Sequence, residues 1–404
     1  MRRKTMCALI PLLLIAGFSL YFPAKNALLT VHAGRHYAQG ITLRKENEVR
    51  RALGEFLLAV CLDPGNTNAR YELARAFSET GLYDMAIREC IMILQEKPDH
   101  LGCYKRLGDL YFRQGRFDEA IATYKEFIVR NPVDSRVLYD IGYAYAKKGD
   151  MENAILFYQK AALFNPSWAA PHQSLGNIHM LRGEWGHAVD CFKKAAVMDT
   201  HNREIHRSLG LAYYQAGMFD EAEDACHRSI RHDPNCALSH KILGEIYYQQ
   251  GDREKALSAY RESLSVNPCQ TDVLATMANI LMEQGKNEGA ISALHKLLSV
   301  NPADAEAHYC LGVLNGKKGL VDESVYECRR ALEIDPNSAK AHASLAVSYF
   351  YMQRYESSLQ HLQKARSMHY PIDPAFEKAL YTARLRRQAR VQQPSGEHEA
   401  GNTL

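Results

Sequence analysis

The apolar positions of this chain fall into stripes that recur with a single period. With 34-residue units counted from Ala33, unit position 7 is Leu, Ile or Met in nine of ten units, Gln39 being the exception. Position 8 is always small: Gly40, Ala74, Gly108, Gly142, Gly176, Gly210, Gly244, Ala278, Gly312 and Ala346. Positions 4, 7, 8 and 11 obey the i, i+3, i+4, i+7 rule of one helix face, and positions 20, 24, 27 and 28 form a second such stripe. Position 20 is Ala from Ala52 to Ala290, then Ser324 and Ser358. Position 15 is Gly in eight units, Gly81 to Gly319, and glycine there ends the first helix because it accepts a left-handed backbone. Position 32 is Pro64, Pro98, Pro132, Pro166, Pro234, Pro268, Pro302 and Pro336, with Thr200 in the one gap; proline ends the second helix. The phase holds without insertion or deletion to Ile372. Each unit therefore predicts a hairpin of two helices of about 13 residues each, held close by the small residues at 8 and 20. One hairpin cannot bury its own stripe, so neighbours must stack.

Two units carry a family resemblance. LGCYKRLGDLYFRQGRFDEAIATYKEFIVRNPVD (101–134) and DAEAHYCLGVLNGKKGLVDESVYECRRALEIDPNSA (304–339) resemble the tetratricopeptide repeat (TPR), over residues 33–372 as a whole. The resemblance implies an all-α fold, a right-handed α-α superhelical solenoid of helix-turn-helix repeats with a concave groove. Unit 1 departs at Gln39 and Asn47; unit 10 has Gln353 for the turn glycine and its proline late, at Pro371. Atypical end units are what caps look like. Residues 373–390 resemble the family's closing helix. Asp373 is placed to cap it, Pro374 to begin it, and Phe376, Ala379, Leu380 and Ala383 to cover the last unit. The tail 391–404 reads as disordered.

The segment before the array changes the picture of location. Arg2, Arg3 and Lys4 precede an apolar run from Met6 to Phe22. Small residues suitable for a cleavage site are poorly placed, so residues 1–32 read as an uncleaved signal anchor. The expectation is a single-pass membrane protein with a cytoplasmic N-terminus and the array outside. The alternatives are secretion after cleavage, or an array on the cytoplasmic side. Ten cysteines, nine beyond the apolar run and with no C-x-x-C, make a poor disulfide framework and sit uneasily with an oxidising compartment.

Candidate chemistry is sparse. A net charge of +3 argues for neither nucleic acid nor a polyanionic substrate. No G-x-G-x-x-G, P-loop, H-E-x-x-H or C-x-x-C-H occurs, and the 32 residues on either side of the array hold no catalytic domain. Neither catalysis, nor a cofactor, nor a small-molecule substrate is expected. His36, His172, His206, His240, His308 and His342 all occupy position 4. Equivalent positions in adjacent units stand roughly 10 Å apart, too far to share an ion. His172 and His179 are two turns apart on one helix, also too far, so these rings read as packing residues and no metal is expected. Cys90, Cys226 and Cys328 share position 24, a packing slot. Cys103, Cys236, Cys269 and Cys310 fall near unit edges, where more exposure is expected.

The resemblance implies that positions 2, 5, 9, 12 and 13 line the concave groove. Along the chain that surface carries Tyr37, Tyr71, Tyr139, Tyr143, Tyr214, Tyr248, Tyr309, Phe350 and Tyr351, with Phe112 in unit 3. Lys105, Arg113, Arg136 and Lys147, with Arg106 alongside, make a basic cluster, and Arg75, Arg207 and Lys241 add to it. Gln173, Asn177 and Met180 continue the surface in unit 5. Tyr and Arg are enriched at binding hot spots. The expected partner is an extended peptide or a helix with acidic and apolar groups. The two-carboxylate clamp of chaperone-binding members is incomplete: Lys105 is followed by Asp109, Lys241 by Glu245, and Asn177 and Asn279 are preceded by Gln173 and Ala275. An asparagine ladder at position 6 is also missing. The reading is a non-enzymatic, membrane-anchored scaffold for a protein or peptide partner. The alternative is an accessory subunit docking substrates for a separate enzyme, such as a glycosyltransferase or glycan-export machine.

Overall fold

The computed structural model describes residues 23–392. Among them are twenty-one helices and no strand. From the second repeat on, first helices begin at unit position 1: Thr67, Leu101, Ser135, Ala169, Arg203, Ala237, Thr271, Ala305 and Ala339. Second helices begin at position 17, as in Tyr83–Glu96, Trp185–Met198 and Val321–Ile334. The predicted hairpins are thus present in register, and the fold is an all-α solenoid of helix-turn-helix repeats.

Local chemistry sets these boundaries. The last residue of a unit caps the next first helix: Asn66, Asp134, Asp304 and Ser338 accept from backbone N–H groups. His100 does the same through Nδ1, accepting from the Cys103 N–H at 3.1 Å. Each such cap contributes about 1 kcal/mol. The turn after the first helix needs a left-handed residue, and Gly81 has φ 80°. In the end repeats Asn47 (φ 64°) and Gln353 (φ 58°) take the same conformation without glycine. The hairpin geometry is therefore kept where the sequence signature is lost.

Within a hairpin, position 8 faces position 24. A Cβ added at Gly108 would stand 2.4 Å from Tyr124 Cε1. The aromatic residues Phe56, Tyr124, Tyr158, Phe192 and Tyr260 each lie over such a glycine. The units with Ala at position 8 carry Cys90, Leu294 and Leu362 instead. At position 20, Ser324 and Ser358 fit among alanines by donating to the carbonyls of Gly312 (2.7 Å) and Ala346 (2.6 Å).

Contacts divide the chain into two compact units, one running to Ile205 and one from His206. The first has cores around Phe56, Leu73, Ile93 and Leu110, and around Tyr124, Ile141, Tyr158 and Leu175. The second is built around Leu257, Tyr260, Leu274, Leu297 and Leu311, and closes on Leu359, Leu362 and Leu380. The closing helix is Pro374–Gln392. The Ala375 N–H donates to Asp373 Oδ1 at 2.8 Å. Phe376 and Leu380 pack inward, but Ala379 is exposed, so the covering face is narrower than the sequence spacing suggests.

Three expectations need correction. The single-pass membrane location is not sustained: no helix among the described residues is long and apolar enough to cross a membrane. The run from Met6 to Phe22 that prompted it lies outside the described residues. The first helix is Pro23–Lys45, so residue 33 is no structural boundary. At the other end, the helix passes residue 391, and 393–404, expected to be disordered, lie outside the described residues. Finally, Cys103, Cys236 and Cys310 are buried, and of the four edge cysteines only Cys269 is exposed. All nine cysteines from Cys61 to Cys328 are free thiols. Burial pushes Cys226 and Cys328 up to about 12, which disfavours the reactive thiolate.

Candidate partner-binding surface

The position-4 residues turn out to tie repeats together. His308 Nε2 donates to the Pro302 carbonyl of the preceding repeat (3.2 Å), while its Nδ1 meets Glu327 at 2.6 Å. Arg70 reproduces the pattern, donating to the Pro64 carbonyl (2.7 Å) and to Glu89 (2.9 Å). His240 reaches the Pro234 carbonyl at 2.9 Å, and His36 meets Glu55 at 2.7 Å. The slot takes a long side chain with donors at two ends, which sharpens the packing role expected of these histidines.

Position 5 works in the same way along the first helices. It reaches position 6 of the next repeat: Arg106 Nη2 donates to the Tyr71 hydroxyl (3.2 Å), Lys105 Nζ to Asp140 (2.9 Å), and the Tyr139 hydroxyl meets Ser174 Oγ at 3.1 Å. The expected basic cluster is therefore partly neutralised from within. Burial opposes the Lys105 charge, but Asp109 and Asp140 outweigh it and hold the ammonium above its ordinary value. Burial raises Asp140, against the pull of Lys105. Arg75 pairs with Glu79 at 3.1 Å on its own helix. Among the described residues, the exposed Arg113 and Arg136 make no ion pair.

The aromatic residues form a connected row in repeats 3 and 4. Phe112 stacks on Tyr143 with ring centres 5.2 Å apart and meets Phe117 edge-on at 5.3 Å. Tyr143 lies parallel to Tyr139 at 6.4 Å, and Tyr139 touches Trp168 at 4.9 Å. Tyr143 is 40% exposed, with Lys147 Nζ 5.4 Å from its ring centre. Gln173 is half-buried and Asn177 exposed beyond this row.

In the unit from His206 the predicted residues are more scattered. Arg207 is half-buried. Tyr214 contacts Phe219 at 5.9 Å. Lys241 pairs with Asp272 of the next repeat. Arg253 lies 4.2 Å from the Tyr248 ring centre, and Lys340 lies 5.2 Å from that of Tyr309. Burial pushes the Tyr309 hydroxyl up to about 12. Tyr248 and Tyr309 are thus engaged by the protein's own cations.

A charged ladder missed by the sequence reading runs along the turn edge. Position 14 pairs with position 18 of the preceding repeat: Lys148 with Asp118 (2.5 Å), Arg182 with Glu152 (2.6 Å), and Lys318 with Glu288 (2.8 Å). The signal was an acid and a base thirty residues apart, visible only once the repeats are stacked. One further group departs from expectation. His179 does not pair with His172. Its Nδ1 lies 2.6 Å from Glu184 Oε2, and donor atoms of His179, Glu184 and His187 all lie within 4.8 Å of one another.

The family model described as the Cilia and flagella-associated protein 70 C-terminal domain matches residues 44–296, and a TPR repeat model matches residues 278–319. Human DnaJ homolog subfamily C member 3 is 27% identical over 128 residues, 32% of this chain and 25% of that protein. The rat protein of the same name is 26% identical over 133 residues, 33% of this chain and 26% of that protein. The chain thus spans about a quarter of the length of these curated relatives. The C-terminal part of a TPR repeat-containing protein from Cytophaga hutchinsonii superposes with a TM-score of 0.53 at 19% identity, covering 60% of this chain and 99% of that one, a likeness of fold alone. With the hairpin register, the position-8 and position-24 packing and a family match over more than half its length, the chain belongs to the tetratricopeptide-repeat family described by the Cilia and flagella-associated protein 70 C-terminal domain.

Proposed function

We propose that this chain is a non-enzymatic protein-interaction scaffold that holds a peptide or protein partner against the first helices of repeats 3 and 4. The observation that carries this is the stacked row Phe112–Tyr143–Tyr139, with Tyr143 40% exposed. Aromatic rings held by their neighbours offer contact area at little entropic cost. Arg113 and Arg136, exposed and without an ion pair among the described residues, add positive charge. The matching partner is an extended or helical segment with an apolar side chain for the row and carboxylates for the two arginines. Lys105 and Arg106, committed to Asp140 and Tyr71, serve the scaffold. The same surface serves the accessory-subunit reading if the partner is an enzyme.

The test is peptide selection on the purified full chain, followed by affinity measurement. Selected peptides should combine an aromatic or aliphatic residue with acidic ones. Tyr143→Ala should weaken them at least tenfold, a loss of about 1.4 kcal/mol or more, and Arg113→Glu with Arg136→Glu should do the same, with the helical circular dichroism unchanged. Peptides that bind equally well to these variants would remove the basis of the proposal.

A further inference from the structure

The turn of repeat 5 gathers three donors of the kind that bind borderline transition metals. His179 lies in the last turn of the first helix (Ala169–Leu181), Gly183 reverses the chain at φ 72°, Glu184 precedes the second helix (Trp185–Met198) and His187 lies in its first turn. Glu184 occupies the cap position of that helix but makes no side-chain cap bond. Its carboxylate turns back instead to His179 Nδ1 at 2.6 Å. The same turn occurs in the other repeats, yet their position 11 is Leu, Phe, Tyr or Asn, and only repeat 5 has two histidines and a glutamate at positions 11, 16 and 19.

We propose that His179, Glu184 and His187 bind one first-row divalent transition-metal ion of the Zn2+ type. Two imidazole nitrogens with one carboxylate oxygen form the three-ligand set that zinc accepts, with a fourth position open to water or to a group from a partner. Hard cations such as Ca2+ and Mg2+ want oxygen ligands throughout. Two imidazoles on one tetrahedral ion, with bonds of about 2.0–2.1 Å, place their ring centres about 5 Å apart. The His179 and His187 rings stand 5.4 Å apart. The ion takes the place of the proton shared by His179 and Glu184. Closing the donors from within 4.8 Å to the roughly 3.4 Å of a tetrahedral edge needs side-chain rotation, which the exposed His187 and half-buried Glu184 permit. The positive end of the second helix opposes a cation there; the Glu184 carboxylate offsets it, and the nearby Arg182 is turned to Glu152. A bound ion would clamp the two helices of this hairpin across their turn.

The site comes with a reporter. The Trp185 ring lies against Gly183, 3.6 Å from where a Cβ would stand, so a paramagnetic ion held by the three ligands sits beside an indole. The experiment uses the untagged full chain, stripped with chelator. Zn2+ is titrated by calorimetry, and Ni2+ is followed by quenching of tryptophan emission. The wild-type chain should bind Zn2+ with a component that weakens at least tenfold in His187→Ala and in Glu184→Gln, and Ni2+ quenching should fall in parallel. His227→Ala, an exposed histidine elsewhere, should leave both unchanged. His187 is exposed, so its removal does not threaten the fold. Zn2+ affinity and Ni2+ quenching unchanged in His187→Ala, or no Zn2+ bound by the wild-type chain, overturns the proposal.

Discussion

At the scale of single residues, the pair at positions 8 and 24 decides how closely two helices pack. Gly108 cannot become Ala without moving Tyr124, which is pinned by its hydroxyl to Asp109 Oδ1 at 2.7 Å. Gly108→Ala should therefore cost about 1–3 kcal/mol, the usual penalty of overpacking. Changing Tyr124→Leu as well should recover part of that loss, because Ala278 with Leu294 and Ala346 with Leu362 already use this combination. Urea unfolding of the two single variants and the double variant gives the coupling energy directly. Additive losses would mean that the two positions are energetically independent. The smallness of position 8 was plain in the sequence. That the glycines stand under rings was not, because the rule links residues sixteen apart on two helices.

At the scale of the helix pair, polar ties between layers set a pH response. In the last repeat, His342 Nε2 lies 3.3 Å from the Pro336 carbonyl, so its Nδ1 accepts from His361 Nδ1 at 2.8 Å. A second proton on His342 would place two N–H groups face to face. Burial first, then His342, pull His361 down to about 4, and burial also lowers His342. Lys364 disfavours charge on both rings and Arg329 disfavours it on His361. An unfolded histidine takes its proton near 6.5, so between about pH 6.5 and 4 the unfolded chain binds more protons. Stability is then present above that window and is lost as pH falls through it. With the ring partly exposed, the loss is discounted to about 1–2 kcal/mol. His361→Gln keeps a donor and removes the titration. Its thermal midpoint should drop less than that of the wild-type chain between pH 7 and pH 4.5; equal drops would show that the pair does not titrate with folding. The ladder at positions 14 and 18 acts at the same scale but weakly, since exposed pairs contribute about 0–1 kcal/mol each.

At the scale of the whole molecule, a stacked array needs its last apolar face covered. Leu380 is fully buried and lies in the core with Leu359 and Leu362, with Phe376 of the same helix partly buried against it. Leu380→Ala should cost about 2–4 kcal/mol of local stability. Because each repeat leans on its neighbours, amide exchange should quicken in repeats 9 and 10 while the repeats before Ile205 keep their protection. Uniform loss of protection across the chain would show cooperativity far beyond nearest neighbours.

The sequence by itself determined the repeat length, the hairpin and the helix boundaries of the inner repeats, because each follows from local rules: a 3.6-residue stripe, a left-handed turn, a proline, a capping side chain. It also located the aromatic row, since Phe112, Tyr139 and Tyr143 are read straight from their unit positions. Only the tertiary structure decided which of the surface cations are free. Lys105 and Lys241 looked available until stacking set Asp140 and Asp272 beside them, and Arg113 and Arg136 differ from them in nothing a single helix shows. The histidines make the same point. Spacing along one helix sets His172 and His179 two turns apart. It cannot show that a glycine turn folds His187 and Glu184 back onto His179, because that proximity depends on the path of the chain through space and not on distance along it.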